Sequence, residues 1–239
     1  AFGDTDLTAR LNLTSANSIN VGRLIPQSFY YVYSFAQLKD EEADEIVFSV
    51  PSGNFGNLTA GVMAWRWGMP VSEFVAATNA NDVVPQYLRT GVFTPRPSLQ
   101  TLANAMDVGN PSNFERLKEI FSEGALNINS LISGVSVTDG DIAATMREVW
   151  RNTGELICPH TATGVHAARQ RLESERGSNT TVVTLATAHP AKFVEVSRSA
   201  VGVEPEIPER LARLMRREKQ SVVVKPTVAD LKRILLERL

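Results

Sequence analysis

The stretch Ile46-Val47-Phe48-Ser49-Val50-Pro51-Ser52-Gly53-Asn54-Phe55-Gly56-Asn57, running on to Trp67, decides the fold. Ile46 to Val50 is a short apolar run of the kind buried on both faces of a parallel sheet. A helix is expected from about Asn57 to Trp67, ended by Gly68. Between them, Gly53 and Gly56 permit positive φ and let the backbone come close to a ligand. Strand, glycine turn, helix is the layout of an anion site. Main-chain N–H groups collect at a helix N-terminus, where the dipole favours negative charge. A phosphate fits such a turn. No Gly-Lys-Ser/Thr follows, which excludes a Walker loop, and the spacing is not Gly-x-Gly-x-x-Gly. On glycine spacing alone, a tight turn without a ligand stands equally open.

Working outward, Ala1 to Ser15 reads as irregular. Leu24 to Leu38 is a helix on the spacing of Ile25, Phe29, Val32 and Ala36, with Pro26 in its first turn. Residues 39–44 are an acidic, solvated connection. A strand is expected over Val71 to Ala77, then helices over Val83–Thr90, Leu99–Met106 and Ser112–Ser122, and a strand at Val135–Val137. Helices follow at Asp139–Asn152 and Thr161–Glu175, the latter capped by Thr or His. Thr180 to Ala186 is β-branched and strand-like, and Pro190 to Ala200 is a helix. Strands alternating with helices predict an α/β fold with a mainly parallel sheet flanked by helices. Residues 1–203 form the α/β domain. Residues 204–239 form a helical tail packing on it, with Ile207, Leu211, Leu214 and Met215 inward and Thr227 capping the last helix.

The 239 residues are 43% hydrophobic and carry 24 basic against 26 acidic side chains, net −2. Such a chain buries a core without disulfides, and no global field draws it to nucleic acid or membrane. No apolar run is long enough to span a bilayer. The single cysteine, Cys158, fits a reducing compartment, so a cytoplasmic location is expected. His160, His166 and Cys158 lack metal-site spacing, and no metal is expected. The first residue is Ala, with no Met or leader pattern, so a segment of a longer polypeptide is expected.

The string Val50 to Gly61 resembles the cofactor loop of threonine synthases, a family of fold-type II pyridoxal-phosphate enzymes related to the tryptophan synthase β subunit. The resemblance extends to Ser15-Ala16-Asn17-Ser18-Ile19-Asn20 with Arg23, to Ala76 to Asp82, to Asn104 to Val108, and to Thr187-Ala188-His189-Pro190-Ala191-Lys192-Phe193. Gly-Asn-Phe-Gly-Asn marks the bacterial and fungal type. The resemblance implies a portion of that fold's large domain. It implies that Gly53, Asn54, Phe55, Gly56 and Asn57 cradle the phosphate of pyridoxal 5′-phosphate and that Thr187 meets its ring nitrogen. Many members carry Asp where this chain has Asn57, a change that leaves main-chain donation untouched.

The implied reaction turns O-phospho-L-homoserine and water into L-threonine and phosphate, by γ-elimination and addition of water at the β carbon. Ser18, Asn20, Arg23, Asn81, Asp82 and Lys192 are candidates for the substrate's anionic groups, with Arg96, Asn104 and Asp107 beside them by motif. The family's Schiff-base lysine sits in a Lys-Asp-Phe-type segment. The lysines here are Lys39, Lys118, Lys192, Lys219, Lys225 and Lys232, and none has that context. This implies the C-terminal portion of such an enzyme, inactive alone, with an N-terminal half of the same polypeptide as its partner. The cofactor normally sits between the two halves, so an exposed apolar face is expected. Two alternatives stay open: another fold-type II enzyme such as a threonine or serine dehydratase, and a lysine-less module that binds cofactor or phosphate.

Overall fold

The structure, a computed structural model, describes residues 1–38, 44–122, 126–174 and 179–238. Two N-terminal helices, α1 (Thr5–Arg10) and α2 (Leu24–Leu38), precede strand β1 (Glu45–Pro51). Helix α3 (Gly56–Arg66) leads to β2 (Glu73–Thr78). Helices α4 (Val83–Thr90) and α5 (Phe114–Ser122) precede β3 (Ile132–Ser136). Helices α6 (Asp139–Thr153) and α7 (Pro159–Ser174) precede β4 (Thr180–Thr184), and α8 (Val194–Val201), α9 (Glu209–Met215) and α10 (Val228–Arg238) complete the chain. Among the described residues the strands form one sheet in the order β3-β2-β1-β4, every pair parallel. The α/β class read from the sequence is the one observed.

β1 is central and buried from Val47 to Pro51, which is why it reads as a continuous apolar run. Its one polar core residue, Ser49, donates to the Gly164 carbonyl of α7 (2.7 Å). On the α2–α3 side, Tyr31 packs edge-on against Phe48 and Phe74, with centroids 5.0 and 5.8 Å away. Gly61 of α3 makes room for this trio, since a Cβ there would lie 2.6 Å from the Tyr31 ring. The Tyr31 hydroxyl donates to the Asn57 carbonyl (2.7 Å), so the phenol is buried without a lost hydrogen bond. Burial holds its pKa well above the ordinary 10.0. α7 lies across β1, β2 and β4 on the opposite face. Among the described residues, no helix is long and apolar enough to cross a membrane.

Several expectations are corrected. α2 has the expected bounds but the opposite facing. Leu24, Ser28 and Tyr31 are buried, while Ile25, Phe29, Val32 and Ala36 are exposed. Periodicity finds a stripe but does not say which of two apolar stripes meets the core. The start of the chain is irregular only in part: Thr5–Arg10 forms α1, capped by Asp4, which accepts the N–H groups of Asp6 and Leu7. The helix expected over Leu99–Met106 is only a 3₁₀ turn, Asn104–Met106. The N–H groups that would start it are taken by side chains, Leu99 N–H by Asn81 and Thr101 N–H by Asp107. The start of α7 is held by the Cys158 sulfur, which accepts Thr161 N–H (3.4 Å), not by Thr or His. The helix expected from Pro190 divides into a 3₁₀ turn, Pro190–Lys192, and α8.

In the tail, Ile207, Leu214 and Met215 face solvent rather than inward. α10 is tied to α1 instead, through Lys232 Nζ to Asp4 (2.9 Å) and Asp6 (3.0 Å). Thr227 Oγ1 accepts Asp230 N–H at the start of α10, as expected. The connection expected over residues 39–44 lies, except for Asp44, outside the described residues.

Candidate functional site

The parallel sheet places the ends of β1 and β4 side by side, and loops at that edge of an open α/β sheet carry ligand sites. The loop after β1 turns sharply at Phe55, which takes the left-handed conformation (φ 62°) just before α3 begins. For a residue with a Cβ this costs about 1–2 kcal/mol. Burial of the Phe55 ring in the main core offsets it. Alternating hands at Phe55 and Gly56 make successive N–H groups converge, the backbone concavity that binds anions. On one side of the turn Ser52 N–H goes to the Ala77 carbonyl, and on the other Leu58 N–H goes to the Asn57 side chain. Between them, no N–H from Gly53 to Asn57 has an acceptor among the described residues. Five consecutive donors are left free at the N-terminus of an 11-residue helix.

The side chains of the loop shape it. Asn57 accepts from Ser52 Oγ (2.7 Å) and donates to the Pro51 carbonyl (2.8 Å). Asn54 donates to Ser18 Oγ and Ser112 Oγ and accepts Ser112 N–H (2.6 Å). Arg116 of α5 donates to the carbonyls of Ser18 and Ile19, which fastens the Ser18 segment beside the loop. Gly53 lies flush on the Asn104–Met106 turn, where a Cβ would come within 2.5 Å of Met106 Cα.

A cavity of about 770 Å³ opens over this loop. Gly53 to Asn57 and Ser18 form one wall. Thr187 and Lys192, beyond β4, line the cavity as well, and Arg23 reaches it from the 3₁₀ turn that precedes α2. The Thr187 hydroxyl has no protein partner among the described residues, so it is not spent on the strand end. Lys192 is exposed, and His189 caps the Pro190–Lys192 turn by accepting Ala191 N–H (3.1 Å). Arg23 donates to the Ala16 carbonyl (2.6 Å) and keeps donors to spare.

The structure does not bring every candidate here. Asn20 caps the turn Val21–Arg23 and donates to the Ser15 carbonyl. Asn81 is buried, bonded to Asn79, Asp107 and the Leu99 backbone. Asp82 pairs with Arg96 and accepts from Gln86. Asp107 takes Thr101 and Asn79, and Asn104 opens the 3₁₀ turn. Asn81, Asp82 and Asp107 are taken up by neighbouring groups and Asn20 by its own turn, and none of these residues lines the cavity. Conversely, Gln27, Tyr30, Tyr33, Ser34, His160 and Phe193 line the cavity without having been singled out for it. The aromatic cluster of α2 reads as packing from its sequence. Only the side of α2 that the core leaves open puts Tyr30 and Tyr33 on the cavity.

The loop at the edge of a parallel sheet is a site for an anionic ligand, and sequence comparison gives the family. The family described as "Pyridoxal-phosphate dependent enzyme" matches residues 27–188, and "Threonine synthase, C-terminal" matches residues 161–235. The chain belongs to the pyridoxal-phosphate dependent enzymes, and pyridoxal phosphate is the cofactor of that family. Within it, the similarity is to threonine synthases. The threonine synthase of Haemophilus influenzae is 43% identical over 211 residues, which is 88% of this chain and 48% of that protein. The crystal structure of threonine synthase from Escherichia coli matches with a TM-score of 0.90 at 38% identity, over 100% of this chain and 54% of that one. The structure of pyridoxal-phosphate-bound threonine synthase from Brucella melitensis matches at 0.83 and 32%, over 99% and 55%. The chain spans about half the length of the curated relatives it matches. The residues present suit the cofactor: five N–H donors without an acceptor among the described residues offer a phosphate its bonds, and the Thr187 hydroxyl lines the same cavity.

Proposed function

We propose that this chain is the portion of a threonine synthase that holds the cofactor's phosphate and ring nitrogen, with O-phospho-L-homoserine as substrate. The lysine required for imine chemistry then lies outside these residues. The observation that carries the reading is the run of N–H groups from Gly53 to Asn57 with no protein acceptor, aimed from a helix N-terminus at the cavity. A phosphate monoester supplies the missing acceptors, and the helix dipole favours its charge.

Bound pyridoxal phosphate supplies an electron sink for a carbanion next to its imine. The loop N–H groups would take its phosphate, while the Asn54 and Asn57 side chains keep the loop in shape. Thr187 would hold the ring nitrogen by a hydroxyl, which stabilises a protonated ring less than a carboxylate would. Ser18, Arg23 and Lys192, which line the cavity, would offer a hydroxyl and two cations to the substrate's carboxylate and phosphate. Asn20, Asn81 and Asp82 have no part in this arrangement. Over the whole protein, the reaction would release γ-phosphate and add water at the β carbon.

The outward stripe Ile25, Phe29 and Val32 supports a companion half. It shares α2 with the cavity-lining Gln27, Tyr30 and Tyr33, and a contiguous exposed apolar stripe suits a contact face. A companion seated there would close the cavity and bring in the lysine. The test has two arms. With pyridoxal phosphate and O-phosphohomoserine, the 239-residue chain is expected to form no threonine, and borohydride reduction followed by mass spectrometry is expected to leave Lys192 unmodified. Threonine formed by this chain, or an adduct on Lys192, overturns the placement of the lysine. For the complete protein, phosphate release from O-phosphohomoserine is expected, whereas ammonia release from threonine would indicate a dehydratase.

A further inference from the structure

His160, in the first turn of α7, is buried and lines the cavity. Its Nε2 accepts the N–H of Ala105 (3.1 Å), so the proton of a neutral ring resides on Nδ1. Nδ1 faces the buried Cys158 sulfur at 3.9 Å. The imidazole lies against Phe193, centroids 4.7 Å apart and planes tilted by 49°. Ala105 belongs to the Asn104–Met106 turn on which Gly53 rests, and Phe193 directly follows Lys192, both lining the same cavity. One ring thus touches the support of the phosphate loop and the segment that follows Thr187.

We infer that His160 is a positioning residue. As a neutral acceptor it fixes the Ala105–Met106 backbone beneath the phosphate loop, and through Phe193 it sets the spacing between that loop and the Thr187 wall. The inference rests on the reading that the loop holds a phosphate. A protonated imidazole would present N–H to N–H at Ala105, so the contact exists only for the neutral ring. Burial keeps it neutral, lowering its pKa to about 4, with Asp107 opposing and Lys192 assisting. Cys158, Asp107 and Lys192 are the titratable groups acting on the ring. Proton transfer to a substrate asks for a ring nitrogen open to the reactants and a pKa near the working pH. Here one nitrogen is occupied by Ala105 and the other points at a thiol.

The test uses the 239-residue chain and 4′-deoxypyridoxine 5′-phosphate, which has the ring and the phosphate but no aldehyde to react with lysine. Wild type, His160→Gln and His160→Leu are titrated with it and followed by backbone amide NMR. Gln places an acceptor where Nε2 stands, and Leu fills the space without one. His160→Gln is expected to bind within about threefold of wild type and His160→Leu roughly tenfold more weakly, the scale of one lost hydrogen bond. Equal binding by a folded His160→Leu overturns the inference. Silence of the wild-type Gly53–Asn57 amides instead overturns the phosphate reading. The ligand-free proteins then still decide on His160. Long-range ¹⁵N correlations are expected to show the Nδ1–H tautomer at pH 7, and the Ala105 and Gly53 amides are expected to shift together in His160→Leu but not in His160→Gln. An Nε2–H tautomer, or unmoved amides in both variants, overturns it.

Discussion

Two polar clusters stand within reach of the same sheet edge, and they are opposites. The loop Gly53–Asn57 follows β1 and leaves its main-chain donors unpaired. The Asn79–Asn81–Asp107 cluster follows β2 and pairs its polar groups with one another. Asn79 donates to Thr101, Asp107 and the Ala103 carbonyl, and accepts from Asn81. Both are rich in Asn, and both belong to segments that resemble the family. The difference is what folding leaves over. A buried donor that already has its acceptor stabilises a loop, whereas a donor aimed at a cavity without one is a specification for a ligand.

The comparison breaks most easily at Gly53. In Gly53→Ala, the new Cβ would lie 2.5 Å from Met106 Cα, so loop and turn must part. Misaiming two N–H donors at about 1.5 kcal/mol each gives roughly a hundredfold loss of affinity for 4′-deoxypyridoxine 5′-phosphate. Equilibrium dialysis checks this, and unchanged affinity would mean that the free donors are not the site. The reciprocal change is Asn79→Ala, which strips the buried cluster of its hub. It is expected to lower stability by about 2–4 kcal/mol, since several buried groups lose partners at once. Urea unfolding reads that effect, while ligand affinity at the surviving folded fraction stays near wild type. If Asn79→Ala instead abolished binding without loss of stability, the two clusters would have exchanged roles.

A smaller effect sharpens the first cluster. Asn57→Asp removes the donor to the Pro51 carbonyl but leaves the main-chain donors in place. It adds a carboxylate beside a bound dianion, a repulsion on the order of 0.5–1 kcal/mol, while the helix N-terminus favours that carboxylate in the free and bound protein alike. Binding is therefore expected to change by less than about fivefold and to depend on salt. A loss as large as that of Gly53→Ala would show that the side chain, not the backbone, holds the phosphate.

How legible each cluster is in the sequence follows from the same distinction. A strand, two glycines and a helix are local, so the loop and its donors can be anticipated from Ile46 to Trp67. The parallel sheet follows from alternation, and α2 and α4 have the bounds that periodicity and turn residues predict. What is not local is not legible. That Asn81 spends itself on Leu99, 18 residues on, and on Asp107, 26 residues on, depends on how the loop closes. That α2 buries Tyr31 and exposes Phe29 depends on Gly61 and Phe74 meeting the same ring. His160 gave no signal because its importance lies in accepting one main-chain N–H from a distant turn.

The clamp between α10 and α1 extends the comparison to groups that are paired but near the surface. Lys232 satisfies Asp4 and Asp6 as fully as Asp107 satisfies its neighbours. Water can replace either partner at little cost, so Lys232→Ala is expected to change urea stability at pH 7 far less than Asn79→Ala does. Its signature is in the pH dependence. The Lys232 hydrogen bond holds the carboxyls of both Asp4 and Asp6 below their ordinary 3.8. A depressed folded pKa contributes stability that is present above the unfolded value and is lost as pH falls below about 4 through the folded value. Wild type should therefore lose stability over that acid window, and Lys232→Ala should lose less there, which urea midpoints at pH 7 and pH 3 would show. If Lys232→Ala and Asn79→Ala proved equally costly at pH 7, pairing alone and not burial would govern what these clusters contribute.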